Sequence, residues 1–574
     1  MFLWTAGAFS GRTTATWREM RAFLTLPAVL SVALAFAAEA VAKGGGEVDI
    51  RVERPQMPWL FGGFGFQNAE ARLTPLMTES FRDERAVKSF RELSPSFSRV
   101  YVGRADETRE SLDRFADYYD LTFRHCDTTI YAVGGSMPGF PEKLDIEAHA
   151  EGVARSLEYL VKERDCRKIR FYCLTNELMC DDQWAYFWKK DKMPLFKKFQ
   201  EALYDAFRRH GLDIQLAASD GSYGRRQAEE LKWTVANMDL ITGIFCTHYY
   251  DTVKPGDPSA YDLFYGQFTN VVQLALGRTK RWMLGEFGVV PPRKKGVMVD
   301  DQNWTYHNPS ESGLWAVTTA EMAMAAVNAG AYAVINWSFC DYPDPFVVED
   351  SHDPAGRARY ESGKTVYKPD MKYNKNGLFR WSDVRGDFGT SPTYFTLGMM
   401  SRYFRKGANV LTARVSDPLV RAAVLENRDG SRTAAVVNLG AKRDIVLNGW
   451  GARRSRLYLY DSAAPYANAF GDLPPPDRVI APDGGNVAFE IPEKGMAFVT
   501  TDYVERVPPE VREVKVVDGR LTWAPVDDPC HCYYRVHANG KQIASTVATS
   551  LPVKVDDVVR FAVKSVDKWG NVGR

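Results

Sequence analysis

Eight short β-rich runs recur between residues 59 and 340, each ending in polar or glycine residues before a helix-forming stretch. They are "WLFGGFGFQ" (59–67), "FSRVYV" (97–102), "TTIYAV" (128–133), "IRFYCLTNE" (169–177), "IQLAASD" (214–220), "ITGIFCTHYY" (241–250), "KRWMLGEFG" (280–288) and "AYAVINWSF" (331–339). Their starts fall roughly 30–50 residues apart, the length of a strand plus a crossover helix. The fillers read as helices. "AHAEGVARSLEYLVKER" (148–164) and "WAVTTAEMAMAAVNAG" (315–330) are strong helix formers, and the second stops on a glycine. Parallel neighbours need such crossovers. Eight βα units in about 350 residues predict a closed (β/α)8 TIM barrel. An open doubly wound sheet is the alternative, but it lacks a Gly-rich phosphate loop after the first strand.

The texture changes after "SPTYFTLGMMSRYFRKG" (391–407), which reads as the last barrel helix. "LVRAAVLENRDGSRTAAVVNLG" holds two alternating strands around Asn427-Arg428-Asp429-Gly430, a hairpin signal. Four more short strands follow without a helical pattern, so residues 408–503 are expected to form a β-sandwich. "EVDIRVE" (47–53) also alternates and is a candidate strand of that sandwich. The barrel is thus expected over 43–407, with a Pro-bearing linker at 504–510. Residues 511–574 resemble a fibronectin type III module in Trp523, the Tyr533-Tyr534 strand and "AVKSVDKWGN", with the last strand of such a module missing. A spacer or docking role is expected of it.

The N-terminus reads as an address. Met20 and Arg21 open an apolar stretch from Ala22 to about Ala38, and small residues around Ala38–Ala42 fit A-x-A cleavage sites. Residues 1–42 are expected to be a signal peptide with an upstream extension, and the protein to be exported, periplasmic or extracellular. No later segment is long and apolar enough to span a membrane. Lys plus Arg number 73 against 72 Asp plus Glu, so nothing suggests nucleic acid as a partner. The eight cysteines fit no zinc pattern. Neither a metal nor a cofactor is expected. Asn303-Trp304-Thr305 is a glycosylation sequon, relevant only in a eukaryotic secretory pathway.

Barrel enzymes carry their chemistry at the C-terminal ends of the strands. The first run delivers Gln67, Asn68 and Glu70; the second carries Arg99; the fourth delivers Asn176 and Glu177. The sixth gives His248, Tyr249 and Tyr250, the seventh Glu286, and the eighth Asn336, Trp337 and Asp341. Two glutamates on the fourth and seventh of eight strands lie almost opposite one another. Two carboxyls facing across a cleft are what glycoside hydrolysis needs. An Asn-Glu dipeptide or a "GEFG" alone means little; their joint placement carries the reading. The bland alternatives are a first-turn acid for Glu177, a strand-end ion pair for Glu286 and a structural histidine for His248.

On these residues the barrel resembles clan A of the glycoside hydrolases, the retaining four-seven superfamily. With its trailing sandwich it is most similar to families 30 and 39. The resemblance implies that Glu177 is the acid/base, Glu286 the nucleophile and Asn176 a partner of the sugar 2-hydroxyl. It implies that Arg99 lies near the nucleophile, that Tyr250 of the His248-x-Tyr250 pair bonds it, and that Trp337 floors the first sugar subsite. Two departures are visible: Leu178 stands where family 39 has proline, and "YAVGG" ends the third strand where many relatives have histidine. Glu70, Trp184, Trp188 and Asp341 are further candidates for substrate contacts. The expected substrate is a β-linked oligosaccharide or polysaccharide. Long loops at 178–195, 287–314 and 340–380 favour exo action or short substrates. A non-catalytic glycan-binding barrel and a transglycosylase remain alternatives.

Overall fold

The computed structural model describes residues 47–55, 57–68, 84–134, 143–177, 192–222, 224–290, 312–340, 342–343, 373–374, 377–381, 388–554 and 559–574. The export stretch, the sequon, Glu70, Cys180, Trp184, Trp188, Asp341 and most of the three long loops lie outside them.

Strand β1 (Val48–Pro55) precedes the barrel. The barrel strands are β2 (Gly63–Gln67), β3 (Phe97–Tyr101), β4 (Thr129–Val133), β5 (Ile169–Cys173), β6 (Gln215–Ser222), β7 (Thr242–Thr252), β8 (Arg281–Val290) and β9 (Ala333–Asn336). They pair in chain order, all parallel, and β9 closes on β2. This is the (β/α)8 barrel that the sequence predicts. Helices alternate with the strands: α1 (Glu84–Leu93), α2 (Arg109–Leu121), α3 (Ile146–Glu158), α4 (Met193–Arg209), α5 (Gln227–Met238), α6 (Ala260–Leu276), α7 (Gly313–Ala329) and α8 (Pro392–Tyr403). Asp145 and Ser312 cap α3 and α7 by accepting from Ala148 N and Trp315 N, satisfying N–H groups that the first turn leaves over.

Strand parity sorts the side chains. Phe97, Tyr131, Phe171, Cys173, Ala217, Ile244, Cys246, Met283, Ala333 and Ile335 fill the barrel interior. Their neighbours in sequence, such as Tyr172, Leu174, Tyr249 and Leu284, pack outward into the helix layer. Gly65 allows the tightest approach in the barrel, since a Cβ there would fall 1.5 Å from the Phe97 carbonyl oxygen.

Helix α7 is apolar nearly all round. A helix of that kind has to be buried on every side. Here one side meets β8 and β9 and the other meets the β-rich domain that follows. Glu321, its lone acid, is fully buried with neither carboxylate oxygen hydrogen-bonded. Burial pushes its carboxyl up to about 8, against the pull of Arg421.

Among the described residues four short strands intervene: β10 (Tyr342–Pro343), β11 (Tyr373–Asn374), β12 (Phe379–Trp381) and β13 (Phe388–Thr390). The second domain is built from β14 (Asn409–Val415), β15 (Val420–Glu426), β16 (Arg432–Asn438), β17 (Arg443–Asn448), β18 (Ser455–Tyr460), β19 (Arg478–Ile480), β20 (Val487–Ile491) and β21 (Gly495–Thr500). They run β19-β18-β21-β16-β15-β14-β1-β17-β20. Strand β1 lies between β14, to which it is antiparallel, and β17, to which it is parallel. Val48 and Ile50 join Val424, Val436, Ile445, Phe489 and Val499 in a separate core. The domain is a β-sandwich following a TIM barrel.

The last strands are β22 (Lys515–Val517), β23 (Arg520–Thr522), β24 (His531–Ala538), β25 (Lys541–Thr546), β26 (Ser550–Pro552) and β27 (Phe561–Asp567). They form two three-stranded sheets, β22-β23-β26 and β25-β24-β27, around Leu521, Trp523, Tyr534, Val536 and Val563. This small module is docked on the barrel through buried charge. Lys88 of α1 lies 2.7 Å from Glu92 and 2.5 Å from Asp472, and 4.2 Å from the centre of the Tyr533 ring. Arg535 and Gln542 reach the other Asp472 oxygen at 3.0 and 2.9 Å. Barrel helix, sandwich loop and module therefore share one ionic cluster.

Among the described residues no helix is long and apolar enough to cross a membrane. The seven described cysteines are free.

Candidate active site

The chain leaves β5 through Leu174, Thr175 and Asn176 into Glu177. Thr175 Oγ1 donates to the Ser219 carbonyl at 3.2 Å, and the Glu177 N–H donates to the Asp220 carbonyl at 2.9 Å. Glu177 has φ +50°, a left-handed conformation uncommon for a residue with a Cβ. Strain of that kind persists only where surrounding contacts hold it, and the two bonds to β6 do so here. The Glu177 carboxylate meets His248, with Oε1 3.0 Å from Nδ1.

Glu286 projects from β8 and is buried. Its Oε1 lies 2.5 Å from Arg99 Nη1, and its Oε2 accepts from the Tyr250 hydroxyl at 2.9 Å. His248 Nδ1 is 3.4 Å from Oε2, so the imidazole stands against both glutamates. One oxygen of Glu177, one of Glu286 and a ring nitrogen of His248 all lie within 4.8 Å of one another.

Arg99 organises this end of the barrel. Nη1 also donates to Gln67 Oε1 at 2.8 Å, while Nη2 reaches Asn176 Oδ1 at 2.6 Å and Asp220 Oδ2 at 2.5 Å. Its guanidinium carbon stands 5.1 Å from the Tyr101 ring centre and 5.7 Å from that of Tyr131. Only a planar fork serves four acceptors at once, so a lysine would not substitute. A fully buried cation is costly unless charges compensate it; Asp220 and Glu286 do.

Asp220, at the end of β6, has no exposed surface. Its Oδ1 accepts from Tyr131 OH at 2.8 Å and Cys246 Sγ at 3.0 Å. His248 Nε2 lies 3.0 Å from the same oxygen, a close ion pair rather than an aligned hydrogen bond. Gly285 makes room for this cluster: a Cβ there would stand 2.3 Å from Cys246 Sγ and 3.1 Å from Asp220 Oδ1.

The charges follow from the geometry. Burial works against ionising Asp220, yet Arg99 and His248 hold its carboxyl well below the usual carboxylate range. Burial also opposes charge on His248, but Asp220, Glu286 and Glu177 push the imidazole up to about 10. Burial raises Glu286 to about 6 while His248 and Arg99 pull it down, so it is ionised at neutral pH. Burial, with Glu286 and Glu177 adding to it, drives the Tyr250 phenol well up and keeps it a donor.

Arg99, Asn176, Glu177, His248, Tyr250 and Glu286 thus meet at one end of the barrel. Trp337 follows β9, partly buried against the helix-layer core. Tyr249 points the other way, its ring centre 5.1 Å from that of Phe268 on α6. Asn68 is buried and donates to Tyr118 OH at 3.2 Å. Glu70 lies outside the described residues. Strand ends taken without the third and fifth runs leave out Asp220 and its partner Tyr131. The signal was there: "IQLAASD" closes an apolar run on an acid, as "FYCLTNE" does.

Among the described residues two triads bring three metal-type ligand atoms together, Asp220/Cys246/His248 and Glu177/His248/Glu286. Arg99 already compensates a carboxylate in each, and a dication would have to compete with it and with a charged imidazole. The donor set suits proton transfer and charge stabilisation better than metal binding.

No protein-family model matches the sequence, and no curated protein does. Solved structures do match. A bacterial orthologue of human α-L-iduronidase aligns over 93% of this chain and 99% of its own, at 13% identity and TM-score 0.56. A family 51 α-L-arabinofuranosidase from Bifidobacterium longum aligns over 80% and 100%, at 13% identity and TM-score 0.52. The catalytic domain of a family 30 xylanase from Talaromyces cellulolyticus aligns over 79% and 99%, at 14% identity and TM-score 0.51. At such identities the likeness is one of fold.

Proposed function

We propose that this chain is a retaining glycoside hydrolase acting on a β-linked glycan by double displacement. The observation that carries the reading is the approach of Glu177 and Glu286, an oxygen of each within 4.8 Å of the other. Retaining enzymes hold their carboxyls about 5–5.5 Å apart, whereas inverting ones leave about 6.5–9.5 Å for a water.

In the first step a Glu286 oxygen attacks the anomeric carbon as the bond to the leaving oxygen breaks. Glu177 gives its proton to that oxygen. Glu286 enters this step ionised, and Arg99 and Tyr250 fix its two oxygens. In the second step Glu177 takes a proton from water, the hydroxide oxygen bonds to the anomeric carbon, and Glu286 is released as carboxylate. Asn176, already oriented by Arg99 through its Oδ1, presents its amide N–H to the sugar 2-hydroxyl. Trp337 supplies the apolar platform for the ring in the first subsite.

The named enzymes among the fold neighbours act on glycosides, which supports the class without identifying the sugar. Export fits such a role and follows from the N-terminal pattern. The two three-stranded sheets within residues 511–574 support a fibronectin type III-like module.

A panel of aryl glycosides and polysaccharides tests the proposal, with Glu177→Gln as the control. Turnover by the wild type is expected. With aryl glycosides whose leaving group needs no proton, the variant should still release a burst of aglycone and then turn over slowly, because the second step lacks its base; with alkyl glycosides the burst should be lost as well. Equal first-step losses on both would remove Glu177 from the acid role. Oligosaccharide binding without any product would favour the non-catalytic alternative.

A further inference from the structure

The mechanism above uses two glutamates and leaves a third buried carboxylate, Asp220, without a task. Every polar contact of Asp220 is to a group that itself faces the reaction centre or the barrel interior behind it. Oδ2 holds Arg99, while Oδ1 meets Tyr131, Cys246 and the Nε2 side of His248. The opposite ring nitrogen of His248 is the one that stands against Glu177 and Glu286. Asp220 therefore lies one imidazole away from both reacting carboxyls.

We propose that Asp220 is a positioning residue for the glycosidase reaction: it keeps His248 an imidazolium whose Nδ1–H donates to Oε1 of Glu177, so the proton that Glu177 delivers sits on Oε2. The inference rests on the glycosidase reading of the same site. A neutral imidazole would be free to turn a lone pair to Glu177 and draw the acid's proton onto the wrong oxygen. A charged imidazole has no lone pair to offer. With Glu177 carrying its proton, the buried charges also balance: Asp220 and Glu286 against Arg99 and His248.

Several charged or titratable groups face His248. Asp220 and Cys246 come from the β6–β7 side, Glu177 from the end of β5, and Glu286 from β8. Behind Asp220 stand Arg99 on β3, Tyr131 on β4 and Glu230 on α5, and Tyr250 lies farther along β7. Of the carboxylates, Asp220 alone is both fully buried and on the Nε2 side in contact with the ring. Among the described carboxylates, its loss leaves the two catalytic glutamates and Glu230 to oppose burial of the ring.

Histidine-15N-labelled full-length protein tests this without any substrate, His248 being assigned by its disappearance in His248→Gln. In the wild type both ring nitrogens of His248 should show imidazolium shifts at pH 8. In Asp220→Asn the ring should be neutral at that pH. A neutral His248 in the wild type, or a charged one in the variant, would overturn the proposal. If Asp220→Asn does not fold, the wild-type spectrum still puts the proposal at risk, since a neutral ring there would overturn it. In the rate assay, Asp220→Asn should lose roughly tenfold more kcat at pH 8 than at pH 7 relative to wild type, since above a group's pKa one pH unit changes its protonated fraction by about that factor. A uniform fall across pH would mark a merely structural carboxylate and overturn the assignment. A failure of the glycosidase reading would show as no turnover by wild type on any substrate, while the charge on the ring answers separately for Asp220.

Discussion

Replacing Tyr250 by phenylalanine removes one oxygen and one hydrogen bond, the 2.9 Å donation to Glu286 Oε2. The acceptor is a buried carboxylate, and a hydrogen bond to a charged group is worth about 1.5–3 kcal/mol. At about 1.36 kcal/mol per pKa unit, its loss should raise Glu286 by about one to two units. The wild-type carboxyl is already raised to about 6, by burial against the pull of His248 and Arg99. Glu286 works as the ionised form, so activity is present above its pKa and lost as pH falls through it. The acidic limb of kcat/KM reports that ionisation in the free enzyme. The limb should therefore lie near pH 6 in the wild type and at about 7–8 in Tyr250→Phe, with the two enzymes converging at alkaline pH. Initial rates on an aryl glycoside between pH 4 and 9 measure it. An acidic limb that stays in place, with the same fractional loss at every pH, would refute the argument that Tyr250 acts by stabilising the Glu286 charge.

Two further expectations concern stability. Lys88→Met leaves Glu92 and Asp472 buried with fewer compensating charges, and removing one partner of a buried ion pair costs about 3–5 kcal/mol. Arg535 and Gln542 still reach Asp472, which favours the lower end, and thermal unfolding should begin several degrees earlier; an unchanged transition would mean that the cluster contributes no net stability. Glu321→Met in α7 should stabilise, and more so at pH 8 than at pH 5. Burial raises the folded-state pKa of Glu321 to about 8, so folding loses free energy as pH climbs from the unfolded value of about 4.3 through that of the folded state. Removing a buried acid without hydrogen-bond partners should recover on the order of 2 kcal/mol at pH 8; an equal effect at both pH values would contradict this.

The barrel was legible because buried parallel strands are apolar on both faces and stop at polar residues. "TTIYAV" and "ITGIFCTHYY" coincide with β4 and β7 almost residue for residue. The two glutamates stood out for the same reason, as charges at the end of apolar runs. Asp220 gives the same local cue in "IQLAASD", yet its meaning comes from Arg99, Tyr131 and His248 on three other strands. Only closure of the barrel brings those together. The left-handed turn at Glu177 was also invisible, since it depends on a backbone bond to Asp220. Nor does anything local mark Lys88, Glu92, Asp472 and Arg535 as one cluster. They come from a barrel helix, a sandwich loop and the last module, and each looks like an ordinary surface charge in its own stretch. The docking of that module is tertiary information.

Azide rescue of Glu286→Ala tests the central claim most directly. The variant should turn over an activated β-glycoside at least a thousandfold more slowly than wild type, roughly the scale expected when a nucleophile is removed. Added azide should restore turnover and give the α-glycosyl azide, because the small anion attacks from the face that Glu286 vacates while Glu177 remains in place. Near-wild-type activity of Glu286→Ala without azide, or rescue that gives the β-azide, would contradict the assignment of Glu286 as the nucleophile of a retaining site.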